Sequence, residues 1–140
     1  MRIKKLHPNF SMPSKGTKGA GAFDIFMPTD GSIVGNQTVK VGLGFAAEVP
    51  EGHVALLLPR SSSGSKYGLE LNNSCGVIDS DYRGEWIANL RTKSGQHFSW
   101  ETGERVLQFI IVPVANIELQ LAETLDSTER GTGGFGSSGK

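Results

Sequence analysis

Apolar residues in this chain come in short runs broken by glycine, proline and polar turn formers, and no long run repeats at helical spacing. In Thr38-Val39-Lys40-Val41 apolar and polar positions alternate, the mark of a strand with one buried face and one solvated face. Val54 to Leu58 and Phe109 to Val112 are continuously apolar, which predicts strands covered on both faces by a second sheet or a neighbouring subunit. Strands are expected over Arg2–Leu6, Ala22–Met27, Gln37–Glu48, His53–Leu58, Gly84–Thr92, His97–Trp100, Arg105–Val112 and Ile117–Leu121. Ser61–Tyr67 follows Pro59-Arg60 and predicts a short helix whose serines can cap its first turn. The pattern as a whole is that of an all-β, jelly-roll-like β-sandwich or barrel. A body over residues 1–124 is followed by a C-terminal arm over 125–140. From Gly131 to Gly139 that arm contains Phe135 and no other large apolar residue, so it cannot build core.

Composition narrows the reading. A chain of 140 residues is one ordinary domain, and with 14 Lys and Arg against 14 Asp and Glu its formal net charge is zero. No basic surplus points to nucleic acid or an anionic membrane as the main partner. Cys75 is the sole cysteine, which excludes an intrachain disulfide and suits a reducing cytoplasm. The basic start at Arg2, Lys4 and Lys5 runs into His7-Pro8-Asn9, so no signal peptide is expected. The longest apolar stretch is far short of the roughly 18 residues of a membrane span.

Three stretches carry candidate chemistry. Pro59-Arg60-Ser61-Ser62-Ser63-Gly64 brings a cation, hydroxyls and backbone N–H groups off the end of an apolar strand, which is a workable phosphate cradle or an ordinary Ser-rich loop. Asn73 to Gly84 reads as a β-hairpin whose splayed strands offer backbone N–H and C=O groups, with the Asn73 amide beside them, to the edge of a pyrimidine. Asp79 and Asp81 there are turn formers or reactive carboxylates. Gln108 sits in an otherwise apolar strand, and its amide needs a partner. In the arm, Arg130, Ser137 and Ser138 suit a phosphate while Phe135 suits a base.

In order along the chain these pieces resemble the five motifs of the trimeric deoxyuridine triphosphatases, the dUTPases. They are Gly21-Ala22-Phe23-Asp24-Ile25, Pro59-Arg60-Ser61, Gly76 to Gly84, Gly103 to Gln108, and Arg130 to Gly139. Two departures stand out: Gly21-Ala22 where the family often has Ala-Gly, and Ser62 where a glycine commonly follows Pro-Arg-Ser. The resemblance implies Mg²⁺-dependent cleavage of dUTP to dUMP and pyrophosphate by a homotrimer with shared sites. It implies Asp79 as general base, and Asp24 acting on the outer shell of a Mg²⁺ held by triphosphate and water. Asn73, Gly76, Val77 and Ile78 would read uracil, and Tyr82 would exclude a 2′-hydroxyl. Arg60, Ser61, Ser62 and Gln108 would meet phosphate from the body, while Arg130, Phe135, Gly136, Ser137 and Ser138 would close from another subunit's arm. The rivals are a deoxycytidine triphosphate deaminase on the same fold and a regulator that uses the same trimer to bind a protein partner.

Overall fold

The computed structural model describes residues 1–134. Within them follow, in order, the strands and one α-helix β1 (Ile3–Lys5), β2 (Phe23–Phe26), β3 (Gly31–Ile33), β4 (Val39–Gly42), β5 (Phe45–Ala47), β6 (His53–Pro59), α1 (Ser61–Tyr67), β7 (Leu69–Leu71), β8 (Gly76–Ile78), β9 (Ile87–Thr92), β10 (Phe98–Trp100) and β11 (Arg105–Pro113), with a 3-10 turn at Lys93–Gly95 between β9 and β10. All pairing is antiparallel. The largest sheet has the order β2-β11-β6-β8 and faces β4-β9-β7, with the pairs β1-β5 and β10-β3 completing a jelly-roll-like sandwich. Among the described residues no helix is long and apolar enough to cross a membrane.

The core lies between the two larger sheets. Trp86 is edge-on to Phe109, with ring centroids 5.1 Å apart, and tilted against Phe45 at 5.0 Å. Around this aromatic centre pack Ile25, Met27, Leu43, Leu57, Leu71 and Leu90, all buried. Burying side chains of this size contributes about 1.5–3 kcal/mol each, which is what holds such short strands together. On β6, Ala55 and Leu57 are buried while Leu56 and Leu58 are half-buried, and on β11 Ile110 and Val112 are likewise half-buried. The apolar runs thus have one face in the core and one only partly covered within a single chain.

Several expectations need correction. The run Gln37–Glu48 is not one strand, because Gly44 at φ +76° turns the chain from β4, paired with β9, to β5, paired with β1. Only glycine takes that conformation without strain, and a Cβ there would lie 2.9 Å from the His7 Cβ. The Asn73–Gly84 segment is not a paired hairpin. β8 pairs with β6, and the returning arm joins the opposite sheet through Trp86, whose backbone N–H donates to the Phe45 carbonyl at 3.0 Å and whose carbonyl accepts from Leu43 N–H at 2.8 Å. The ladder of β9 therefore begins at Ile87 rather than Gly84. Ile117–Leu121 forms no strand. Ile117, Leu119 and Leu121 are exposed, since alternation supplies a face but not an edge to pair with. β3 and β7, of three residues each, are too short to show a period.

Candidate active site

Strand register assembles one end of the site. β11 lies between β2 and β6, and Gln108 stands opposite both Asp24 and Leu58, so residues remote in sequence share one row. Asp24 is buried, not solvated as a lone acid on a strand would ordinarily be. Its Oδ1 accepts from Arg60 Nε at 2.9 Å and its Oδ2 from Arg105 Nη1 at 3.2 Å. Arg60 Nη1 also donates to the Arg105 carbonyl at 3.1 Å, and Gln108 Nε2 donates to the Pro59 carbonyl at 3.1 Å. Gln108 thereby spends one of its two amide hydrogens on the backbone of the phosphate loop and keeps the other as a donor.

Arg60 enters α1 in extended conformation, and no side chain caps the helix, contrary to the expected serine caps. Ser65 Oγ instead donates back to the Ser61 carbonyl at 2.8 Å. The N–H groups of the first turn keep the unpaired state that every helix start has, and Gly64 N–H is the first to bond back, to the Arg60 carbonyl at 3.0 Å. A cleft of ≈ 400 Å³ opens here, lined among others by Arg60, Ser62, Ser63, Lys66, Tyr67 and Arg105. Arg60, Lys66 and Arg105, of which both arginines contact Asp24, outnumber the single acid Glu104 in this lining and stand beside hydroxyls, an arrangement that attracts phosphate.

The other end lies along β8. As an edge strand it pairs with β6 on one side, so alternate N–H and C=O groups on its other side are open. A second cleft of ≈ 170 Å³ is lined by Val77, Ile78, Asp79, Tyr82 and Ile87. The turn closes through the Tyr82 N–H, which donates to the Asp79 carbonyl at 3.2 Å, and the exposed Asp79 carboxylate has no hydrogen-bond partner among the described residues. Tyr82 Oη donates to the Glu85 carbonyl at 2.9 Å. Gly76 belongs to the strand but does not line this cleft, and neither does Asn73. Asn73 is exposed in the turn before β8, its carbonyl accepting from Cys75 N–H at 2.7 Å while Ser74 takes a positive φ of 65°.

Within one chain the two ends do not meet. Ile78 pairs with Ala55, so Asp79 lies past Ala55 toward the His53 end of β6. The stretch from Ala55 to Arg60 spans about 16 Å of extended chain. The clefts share no lining residue. Ser61 is exposed on α1 and is not among the residues lining the larger cleft. Arg130 is exposed too, its Nε donating to the Gly133 carbonyl at 3.0 Å, and it lines neither cleft. Phe135, Gly136, Ser137 and Ser138 lie outside the described residues.

Arg105, Lys66, Tyr67 and Ile87 are among the lining residues not singled out from the sequence. Arg105 lay in a quoted motif, three positions before Gln108, and a charge heading an apolar strand was the available signal. Lys66 follows Ser62 by four on α1, the spacing that puts two side chains on one helix face. Tyr67 and Ile87 carried no local signal.

Fold and clefts together define a β-sandwich protein with room for a small anionic ligand at one end and a planar, edge-reading ligand at the other. The dUTPase family profile matches residues 8–139, and the chain belongs to that family. It is 41% identical to the deoxyuridine 5′-triphosphate nucleotidohydrolase of Hydrogenobaculum sp. over 98% of this chain and 96% of the relative. To the enzyme of the same name from Nautilia profundicola it is 39% identical over 100% and 99%. Its fold superimposes on the Staphylococcus bacteriophage 80alpha dUTPase solved with dUPNHPP, with TM-score 0.89, 29% identity, and 99% and 98% of the two chains covered.

Proposed function

We propose that this chain hydrolyses dUTP to dUMP and pyrophosphate in a Mg²⁺-dependent reaction, as a homotrimer whose sites draw on more than one chain, in a reducing cytoplasm. The observation that carries the reading is the exposed, unpartnered Asp79 carboxylate beside the open edge of β8, with the phosphate-seeking cations at the far end of β6. Asp79 accepts a proton from water as the water oxygen bonds to the α-phosphorus and the bond to the β-phosphate breaks, releasing pyrophosphate. The edge of β8 at Gly76 to Ile78, with Asn73, pairs with uracil, whose donor and acceptor order differs from that of cytosine. Tyr82, which lines the same cleft as Asp79, packs against the sugar and leaves no room for a 2′-hydroxyl. Arg60, Ser61, Ser62 and Gln108 meet the phosphates, and the arm from 125 onward, with Arg130, Phe135, Gly136, Ser137 and Ser138, closes over a neighbour's site and excludes water.

The donor set fits Mg²⁺ at the phosphates. Among the described residues no three His, Cys, Asp or Glu side chains group into a metal cage. Each Asp24 oxygen accepts one arginine hydrogen bond and keeps a further lone pair, which suits contact with a hard cation through water rather than direct ligation. When bound, Mg²⁺ offsets triphosphate charge and eases departure of pyrophosphate. The half-buried outer faces of β6 and β11 and the roughly 16 Å between the two ends support assembly, because a neighbour can cover the first and bridge the second.

The test is incubation of the purified protein and Mg²⁺ with the four common deoxynucleoside triphosphates, dUTP and UTP, with product identification and light scattering. The expected result is dUMP and pyrophosphate from dUTP alone, by a species three times the chain mass. Ammonia released from dCTP, or an active monomer, overturns the corresponding part.

A further inference from the structure

We propose that Glu85 is a positioning residue for Tyr82, and through it a determinant of the preference for a 2′-deoxy sugar; this rests on the function proposed above. Glu85 is half-buried, and its Oε1 accepts from the Gly44 N–H at 2.9 Å across the β4–β5 junction. The junction is shaped around that carboxylate. A Cβ on Gly42 would come within 2.5 Å of Oε1 and 2.9 Å of the Glu85 Cδ, so the carboxylate occupies the volume a side chain at 42 would need. Two backbone bonds flank it, Leu43 N–H to the Trp86 carbonyl at 2.8 Å and Trp86 N–H to the Phe45 carbonyl at 3.0 Å. Residues 85 and 86 are therefore fastened to the fully buried part of the sandwich by three hydrogen bonds, and Trp86 itself is 0% exposed.

From that fastening the loop reaches outward to Tyr82. The hydroxyl of Tyr82 donates to the Glu85 carbonyl at 2.9 Å, and Gly84 leaves the space in which the ring lies, since a Cβ there would sit 2.4 Å from Oη and 2.6 Å from Cζ. Tyr82 is 42% exposed, so little packing holds the ring apart from this contact. Carboxylate, backbone carbonyl and phenol form a chain whose charged first member ties it to the β4–β5 junction, while Arg83 Nη1 donates to the Ser80 carbonyl at 2.6 Å and the Tyr82 carbonyl at 3.1 Å within the loop itself. A hydrogen bond to an ionised acceptor is about twice as strong as a neutral one, so removing it leaves the Glu85 carbonyl held through the Trp86 N–H of the same peptide unit and loosens the carbonyl and the ring together. The ring lines the ≈ 170 Å³ cleft with Asp79, and a ring free to swing away opens room for a 2′-hydroxyl.

Steady-state kinetics on dUTP and UTP test the idea in the full-length protein. In Glu85→Ala, the ratio of kcat/KM for dUTP over UTP falls about tenfold, with KM for dUTP rising more than kcat falls. Glu85→Gln, which keeps an oxygen acceptor for the Gly44 N–H, stays within about threefold of the unmodified ratio. Gly42→Ala leaves Glu85 in place but displaces its carboxylate, and lowers the ratio in the same direction. Adding Glu85→Ala to Tyr82→Phe costs no further discrimination, because the two act through one contact. A folded Glu85→Ala whose ratio is unchanged, or a Glu85→Gln as poor as Glu85→Ala, overturns the tether. Should Glu85→Ala fail to fold, Gly42→Ala and Tyr82→Phe decide, and unchanged ratios in both overturn it. Absence of dUTP turnover in the unmodified chain overturns the function itself and the specificity role with it.

Discussion

If Asp79 and Arg60 of one chain cannot serve the same triphosphate, two inactive variants should repair one another. Asp79→Asn removes the base and lowers turnover by about 10²-fold or more, the usual scale for that loss. Arg60→Gln removes the phosphate-side cation while retaining an amide donor toward Asp24, whose other oxygen still holds Arg105 at 3.2 Å. The two positions lie at opposite ends of a strand segment about 16 Å long, so in the proposed assembly each site would take its base from one chain and its arginine from another. In an equal, random mixture, half of the chains supply an intact Asp79 and half an intact Arg60. About one quarter of the sites in re-formed trimers are then complete, and activity returns to about one quarter of the unmodified level. The assay dissociates and re-forms the mixture, confirms mixed trimers by native mass spectrometry, and measures pyrophosphate release. Fully exchanged trimers that remain at the parental level would refute the shared site, because completion within one chain predicts no repair at any mixing ratio.

Asp24→Asn places an amide where two arginines need an anion. With the Asp24 side chain 10% exposed and its partners 28% and 45% exposed, the cost is about 2 kcal/mol, below that of a fully buried pair, and thermal melting should fall by about 6 °C; an unchanged melting point would show that the pair contributes nothing. Removing residues from Arg130 onward should leave a folded body with severely reduced turnover, checked by circular dichroism alongside pyrophosphate release. Donation from the Thr102 hydroxyl and then from its backbone N–H holds the Asp30 carboxyl below its ordinary value. Its folded value is depressed, so the contribution is complete above the unfolded value and is lost as pH falls through the folded one. Any melting advantage over Asp30→Asn should therefore be flat at neutral pH and shrink only below about pH 4.

Much of the site was legible because its chemistry is written in local residue types. A cation and hydroxyls after a strand predicted the phosphate end and the helix over Ser61–Tyr67, which forms with those bounds. Apolar runs marked β6 and β11 as strands with cover on both faces, and each has one face in the core and one half-buried within the single chain. Period and residue type are properties of a segment by itself, so the amino-acid sequence determines them. Pairing is a property of two segments and was decided only in three dimensions. Register alone brought Asp24 between Arg60 and Arg105, and turned a supposed solvated acid into a buried ion pair. Trp86 drew the arm after Tyr82 into the opposite sheet, because burying an indole against Phe45 and Phe109 outweighs the few bonds a three-residue hairpin would add. Ile117–Leu121 shows the converse: its alternation is as regular as that of any strand in the body, but a strand exists only where another edge accepts its hydrogen bonds, and none of this chain's own open edges is paired with it.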